Sequence, residues 1–139
     1  MTISTTPVEL ARAYEQTRYE VYAGENTLMV KVGEIPCESI LSTYPFCFIT
    51  ASNPRSEKLS VRENARRNGQ LRSWLITHAM KFLPAAAIPS GSDWEPEAGF
   101  CVLGISRQDS VDLGRAFEQN AIVYGLPLNR PELIWIMAS

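Results

Sequence analysis

The sequence lacks most of the features that identify a function at sight. Only three of its 139 residues are cysteine, and they have no CxxC spacing of the kind that zinc or thiol–disulfide chemistry uses. Because the number is odd and two of the cysteines lie in apolar runs, we expect a reduced, cytoplasmic protein. No apolar run reaches the roughly 18 residues that span a bilayer, and the first residues are not a basic segment followed by an apolar one. We therefore expect neither a secretion signal nor membrane insertion.

An excess of charge is also missing. There are 13 Lys and Arg residues against 15 Asp and Glu residues, which leaves a net charge of -2. Domains that bind nucleic acid are usually basic, so this balance argues against a nucleic-acid partner. Arginine outnumbers lysine 10 to 3, a bias that matters only where arginines converge on an anion, which their planar guanidinium groups bind in pairs of hydrogen bonds.

The common catalytic and cofactor motifs are absent as well. The sequence contains no HExxH, GxxxxGK[ST], GxGxxG after a strand, or GxSxG. It therefore predicts no metal site and no cofactor, and zinc hydrolases, P-loop proteins, dinucleotide-binding proteins and α/β-hydrolases have no support. The single histidine, His78, falls at the end of a predicted helix, where a structural role is the commoner one. A metal-independent reaction and simple binding both stay open.

What the sequence does have is an ordinary globular composition. The hydrophobic fraction is 45% and the aromatic fraction 9%, close to the average for globular domains of this size. This predicts a single compact domain over residues 1–139. The periodicity of apolar residues predicts the order α-β-β-β-α-β-β-α-β-β. The expected fold class is α+β, with a mixed, mainly central β-sheet of about six strands, two main helices and a short N-terminal helix.

Proline and glycine refine these expectations. A Gly-containing connection at 23–26 predicts a hairpin between two strands. Pro84 predicts that the segment 82–88 is an edge or irregular strand, because proline removes a hydrogen-bond donor from the ladder. The segment 132–137 is unusually apolar, so a protein-interaction module that uses it as an exposed sheet edge is one functional hypothesis.

The helix predicted over Val61–His78 breaks the apolar pattern. Asn64 and Asn68 fall on the stripe that should face the core. The apolar members of this stripe are Val61, Ala65, Leu71, Leu75 and Ala79. A buried amide without a partner costs about 1–3 kcal/mol, so polar groups should lie opposite the two asparagines. The turn at 52–56, which follows an apolar strand, is the obvious candidate.

We interpret this region as a pocket for a small polar or anionic, nucleotide-like ligand. Helix N-terminal amides, a guanidinium group and amide side chains can all bind such a ligand. The residues expected to line the pocket are Asn53, Arg55, Asn64, Arg67, Asn68, Trp94, Gln119 and Asn120. In the structural alternative, Asn53 and Ser56 only build the turn, Arg55 is solvated, and Asn64 and Asn68 hold neighbouring loops.

The loop before the fifth strand offers a second functional hypothesis. Trp94 is either a lid over a flat ligand or a plug over the end of the sheet, and the plug is the commoner role. Glu95 and Glu97 flank it, although paired surface glutamates are usually only solvated. A metal-independent enzyme could use Glu97 or Glu95 as general base and Arg55 to stabilise negative charge, provided that Glu97 approaches Arg55 across a cleft.

Five segments taken together resemble an uncharacterised bacterial family catalogued as domain of unknown function number 3293. They are FITASNPRS, the N-x-x-x-N helix, Gly91-x-x-Trp94-x-x-Glu97, FCVLGIS and LGRAFEQNAIVY. The resemblance covers about residues 19–133 and implies a small, stand-alone cytoplasmic bacterial protein. It places the family's polar motif at Asn53, Pro54, Asn64, Arg67, Asn68, Trp94, Glu97, Gln119 and Asn120. Ser52 stands where the family often has an aromatic residue, and the resemblance implies no activity, ligand or oligomeric state.

Overall fold

The secondary structure follows the order that the sequence predicts. The computed structural model describes residues 7–90 and 95–136, and within these ranges the chain forms three helices and seven strands. The helices are α1 (Pro7–Gln16), α2 (Val61–Thr77) and α3 (Arg107–Ala116). The strands are β1 (Arg18–Ala23), β2 (Asn26–Val30), β3 (Phe46–Ile49), β4 (Lys81–Ile88), β5 (Glu97–Leu103), β6 (Ala121–Gly125) and β7 (Glu132–Trp135).

The seven strands form one sheet in the order β2-β1-β4-β5-β3-β6-β7. The α+β class is confirmed. The sheet contains all seven strands of the predicted order, one more than the six or so expected within it, and every neighbouring pair is antiparallel rather than mixed. The hairpin predicted around residues 23–26 is present, with Ala23 opposite Asn26. Short connections of this kind join only antiparallel strands, since a parallel pair needs a long crossover.

The strand that contains Pro84 corrects one prediction. β4 is not an edge strand, because it lies inside the sheet between β1 and β5. Its ladder with β1 ends where Val21 faces Ala85, so Pro84 lies just past the end of that ladder and opposite Phe100 of β5. The missing N–H of the proline therefore removes no hydrogen bond to β1.

The two faces of the sheet carry separate apolar clusters, as the alternation of side chains along a strand requires. One face is covered by α2 and α3, and we call it the two-helix face. There, Cys47 and Ile49 of β3 pack in a cluster that includes Leu71 and Leu75 of α2. On the opposite face, which we call the α1 face, Phe48 packs in a cluster with residues such as Tyr19. The four residues of β3 are buried, so this strand lies in the interior of the fold.

Helix α2 uses only part of the predicted apolar stripe. Leu71 and Leu75 are fully buried, but Val61 is 83% exposed and Ala65 is also exposed. Ala79 is exposed too and lies beyond the end of the helix. The reason is that the first turns of α2 face the turn after β3, where they present Asn64 and Asn68, and only the later turns reach the sheet.

The sheet curls around its α1 face. The amide of Gly33, just after β2, donates a hydrogen bond of 2.9 Å to the carbonyl of Pro131, just before β7. Segments next to the two outer strands therefore meet at one end of the sheet. None of the helices in the described ranges is long and apolar enough to cross a membrane.

Candidate functional site

The turn after β3 has an unusual backbone. Asn53, Arg55 and Ser56 have φ angles of 46°, 53° and 62°, and Glu118 on a facing segment has a φ of 58°. Asparagine tolerates this left-handed region, but it is unfavourable for the other three residues, at a cost of order 1–3 kcal/mol each. The Arg55 amide donates a hydrogen bond of 2.7 Å to the Glu118 carbonyl. The two strained segments therefore support each other.

Asn53 and Asn64 form a reciprocal pair that holds this turn against α2. The Asn53 backbone amide donates to Oδ1 of Asn64, and Nδ2 of Asn64 donates to Oδ1 of Asn53, both at 2.8 Å. The same Oδ1 accepts the Leu59 amide at 2.9 Å. Nδ2 of Asn53 donates to Oε2 of Glu97 at 2.8 Å. One side chain thus shapes the turn and supplies a hydrogen bond to a carboxyl group on β5.

Asn68 joins α2 to the ends of β3 and β5. Its Oδ1 accepts the Ala51 amide at 2.8 Å, and its Nδ2 donates to Oγ of Ser52 at 2.8 Å and to the Ala98 carbonyl at 3.3 Å. The Thr50 hydroxyl also donates to the Ala98 carbonyl, at 2.6 Å. Asn64 and Asn68 therefore use their donors and acceptors within the protein, as in the structural alternative.

The two arginines singled out from the sequence lie on either side of Glu118. Arg67 donates to the Ala51 carbonyl at 2.6 Å and to the Phe117 carbonyl at 2.7 Å, and its side chain is 17% exposed. Arg55 is 60% exposed and its Nη2 lies 3.8 Å from a Glu118 carboxylate oxygen. Arg67 is thus a structural link between α2 and the segments around it, whereas Arg55 points to solvent.

A cavity of about 100 Å³ lies between α1 and the sheet, on the α1 face. Its apolar walls include Phe48, Ala87, Val123 and Leu133. Its polar wall includes Tyr14, Tyr19, Thr50, Asn53, Glu97 and Asn120. The turn after β3 and the segment before β6 close one end of this space, so the asparagine network forms part of the cavity wall.

The polar groups of the cavity differ in their exposure: Tyr19 and Thr50 are buried, Glu97 and Tyr14 are half-buried, and Glu95 is exposed. Burial raises the pKa of Glu97, and the hydrogen bond from Asn53 opposes this effect. Burial, followed by the nearby Glu97 carboxylate, raises the pKa of Tyr14 to about 12, against the effect of the Ser56 hydroxyl. Burial also raises the pKa of Tyr19, and Tyr14 and Glu97 add to it. The Tyr19 hydroxyl is buried and has no hydrogen-bond partner among the described residues.

The structure divides the predicted site residues into three groups. Asn53, Gln119 and Asn120 line the cavity together with Glu95 and Glu97. Gln119 donates to the Ser52 carbonyl at 3.2 Å, and Asn120 donates to Oγ of Ser56 at 2.8 Å.

The second group lies outside the cavity lining: Asn64, Arg67 and Asn68 are behind the cavity wall, and Arg55 faces outward. The third contains only Trp94, which lies outside the described residues.

Sequence reasoning missed the cavity role of the two tyrosines. Alternation in β1 predicts that Tyr19 points inward, and the helical period suggests the same for Tyr14. An inward tyrosine normally belongs to the core, and no local signal distinguishes one that lines a cavity. Among the residues that the structure describes, no group of three His, Cys, Asp or Glu side chains could hold a metal ion.

Together, the fold and the site define an α+β protein whose antiparallel sheet and N-terminal helix enclose a small, partly polar cavity. The chain belongs to the family described as "Protein of unknown function (DUF3293)", which matches residues 49–122. This confirms the resemblance noted from the sequence. The matched segment contains the asparagine network and Glu97 but neither Tyr14 nor Tyr19. No curated protein and no solved structure shows significant similarity to the chain.

Proposed function

We propose that this protein binds a small ligand in the cavity between α1 and the sheet. The observation that carries the proposal is the cavity itself, whose polar wall holds the Glu97 carboxyl group with a single hydrogen-bond donor, Asn53, among the described residues. A carboxyl group has two oxygens that can accept several hydrogen bonds. A ligand with a polar end would supply a further hydrogen bond to it.

The size and walls of the cavity limit the kind of ligand. Its volume of about 100 Å³ is above the roughly 10–15 Å³ that a single water molecule needs and below the roughly 150 Å³ of an apolar cavity that holds benzene. Phe48, Val123 and Leu133 provide an apolar side, whereas Glu97 and Tyr19 lie on the polar side. A ligand, or the end of a longer ligand, with a short apolar body and one polar group fits this division.

The charges at the cavity do not favour the anionic ligand expected from the sequence. No Lys, Arg or His side chain is among the described residues that line it, and two glutamates are. Residues 1–6, 91–94 and 137–139, which lie outside the described ranges, include none of these three residue types either. We therefore propose a polar ligand that is not an anion, since an anion would meet uncompensated negative charge.

A metal-independent enzyme is the second candidate, because a buried glutamate with a raised pKa is typical of a general acid or base. The enzyme hypothesis also requires Arg55 to stabilise negative charge next to Glu97. Arg55 does not line the cavity and lies against Glu118 instead. Binding is therefore the better-supported function of this site.

The interaction-module hypothesis concerns β7, which is an outer strand of the sheet as it requires. Trp135 is 44% exposed, but it packs edge to face on Tyr14 of α1, with ring centroids 5.7 Å apart. β7 has only four residues and begins with Glu132, whose carboxylate lies 3.0 Å from Nε of Arg107. Short strands and charged edge residues oppose strand addition, so we favour the cavity over this edge.

Titration with a library of small fragments, followed by protein NMR, tests the binding proposal. We expect some fragments to shift the signals of residues at the cavity, such as Tyr14 and Tyr19. Ala87→Leu should fill the cavity and abolish these changes. Ala86→Leu, at the neighbouring position on the opposite face of β4, should keep them.

Ala13→Leu fills the same space from α1 and is the second test if Ala87→Leu does not fold. Fragments that bind at the cavity equally well in wild type and in a folded cavity-filled variant would contradict the proposal. A library that changes no signals at the cavity would also contradict it.

A further inference from the structure

We infer that the ligand is a small primary amine, bound as its ammonium ion with Glu97 as the opposite charge. This inference rests on the proposed function, because it names the chemical class of the ligand in the same cavity. Three features of the cavity carry it: a carboxyl group without a cationic partner, aromatic rings beside it, and acceptor capacity on that carboxyl group that the described residues leave unfilled.

The first feature is the lack of a counter-ion for Glu97. Asn53 is the one hydrogen-bond donor that the described residues provide to its carboxyl group, through Oε2 at 2.8 Å. Glu97 takes part in no ion pair within the described ranges. Glu95 adds a second negative charge to the lining. A charge removed from water is stable only when it is paired. A cation in the cavity would therefore offset the cost of leaving the Glu97 carboxylate unpaired.

The second feature is the aromatic lining. Tyr14, Tyr19 and Phe48 all line the cavity, and the rings of Tyr19 and Phe48 have centroids 4.6 Å apart. A cation near the face of an aromatic ring is attracted to it, and the attraction is larger in a site shielded from water. These rings therefore favour an ammonium group and disfavour a carboxylate or phosphate.

The third feature is the match between donors and acceptors. An ammonium group has three hydrogen-bond donors and no acceptor. The cavity presents the Glu97 carboxylate, for which the described residues provide one donor, Asn53. A neutral alcohol or amide would offer a donor to this group but would leave its charge uncompensated. An ammonium group supplies both the hydrogen-bond donors and the opposite charge.

The volume selects a short amine. A cavity of about 100 Å³ is smaller than the roughly 150 Å³ of an apolar cavity that accommodates benzene. A short amine, or a longer amine with only its amino end inside, therefore suits this space. Its carbon atoms would lie against Phe48, Val123 and Leu133, and its nitrogen would face Glu97.

Three probes of nearly equal size test the inference: n-butylamine, 1-butanol and butyrate. We expect NMR titration at pH 7 to show that butylamine binds at least 10-fold more tightly than butanol and that butyrate does not bind. Glu97→Gln should weaken butylamine at least 10-fold and leave butanol within about 2-fold. Glu38 is exposed and does not line the cavity, so Glu38→Gln should leave the affinities for all three probes unchanged.

The pH dependence of wild-type binding is an independent measurement that needs no variant. Butylamine keeps its charge at acidic pH, so its affinity should fall as Glu97 takes up a proton. Besides Glu97, the titratable side chains described at the cavity are Tyr14 of α1, Tyr19 of β1 and Glu95. Both tyrosines stay protonated at and below neutral pH because burial raises the pKa of each.

Equal affinities for butylamine and butanol, unaffected by Glu97→Gln, would overturn the inference and leave the proposed binding function intact. Preferential binding of butyrate would overturn it as well. If none of the three probes binds, the amine inference is wrong, and the fragment titration with Ala87→Leu decides whether the cavity binds anything else.

Discussion

Asn53 is the residue that connects the fold to the cavity. Its backbone takes a left-handed conformation, its Oδ1 accepts from Asn64 and Leu59, and its Nδ2 donates to Glu97. Asparagine suits this position because it tolerates positive φ and carries a donor and an acceptor on one short side chain. The sequence singles out Asn53 as a turn residue, but its contact with Glu97 spans 44 positions along the chain.

Asn68 provides the first prediction at the residue scale. In Asn68→Ala, the amide of the fully buried Ala51 loses its acceptor, which is Oδ1 of Asn68. An unpaired buried donor costs about 1–3 kcal/mol, so we expect the free energy of unfolding in urea to fall by about that amount. Gln70→Ala, at an exposed position of α2, is the matched control and should change it by less than about 0.5 kcal/mol. Equal effects of the two substitutions would contradict the role assigned to Asn68.

Glu97 provides a prediction about pH. Because burial raises its pKa, the folded protein holds this proton more tightly than the unfolded chain does. The resulting stabilisation is complete below the unfolded pKa of about 4.3 and is lost as the pH rises through the higher folded pKa. Glu97→Gln cannot ionise, and its amide oxygen can still accept from Asn53.

Urea unfolding at several pH values between 4 and 7.5 checks this expectation. The difference in the free energy of unfolding between Glu97→Gln and wild type should increase in favour of the variant as the pH rises. Glu38→Gln should follow the wild-type profile. A constant difference between Glu97→Gln and wild type would show that Glu97 has the same pKa in the folded and unfolded states.

At the scale of elements, local patterns predict the order of helices and strands, because periodicity and capping residues are local signals. The side chains of Ser60 and Ser106 cap α2 and α3, because they accept the backbone amides of Glu63 and Asp109. The position of β4 in the sheet is the opposite case. Pro84 by itself disfavours an interior strand. The ladder between β1 and β4 ends just before this proline, and the position of that end depends on long-range strand pairing, which no local pattern contains.

Two helical glycines lead us to predict opposite effects of the same substitution, glycine to alanine, on the stability of the protein. A Cβ at Gly114 of α3 would overlap the side chains of Ile136 and Ile122. A Cβ at Gly69 of α2 would meet nothing within 4 Å. Gly114→Ala should therefore destabilise the protein by about 1–3 kcal/mol through overpacking. Gly69→Ala should stabilise it by about 0.5–1 kcal/mol, because alanine loses less conformational entropy than glycine in a helix.

Urea unfolding of the two variants checks this pair. A stabilising effect of Gly114→Ala would show that α3 does not pack as closely on the strands as the structure indicates. A destabilising effect of Gly69→Ala would contradict the open surroundings of that position.

At the scale of the whole molecule, the curled sheet determines where the cavity lies. Its two-helix face is covered by α2 and α3, while α1 lies over part of the other face. The site expected from the sequence was the turn at the end of a central strand. The turn does lie at the end of β3, but the cavity beside it faces α1, a helix more than 35 positions earlier in the chain.

The three cysteines provide a prediction for the whole fold. Cys47 and Cys101 are buried and Cys37 is exposed. Burial raises the pKa of Cys47 to about 12, against the effect of Ser110, and burial followed by Cys47 raises the pKa of Cys101. Since the thiolate is the reactive form, we expect a thiol reagent to label one cysteine rapidly in native protein and the other two only as the chain unfolds. Mass spectrometry counts the labels.

Cys37→Ser is the control and should remove the rapid phase. Rapid labelling of a second cysteine in the native protein would contradict the burial of β3 or β5, on which Cys47 and Cys101 lie.

By itself, the sequence determined the order of the elements, the α+β class, the buried centre at β3 and the family to which the chain belongs. It also identified Asn53, Asn64 and Asn68 as polar residues that need partners, because burying an amide has a cost that local patterning reveals. Only the tertiary structure decided what those partners are. It turned Asn64, Arg67 and Asn68 into the support of a turn, separated Arg55 from Glu97, and placed Tyr14 and Tyr19 beside that carboxyl group. These outcomes depend on strand pairing and helix packing between segments far apart in the chain, and the energy of such contacts is not contained in any short stretch of sequence.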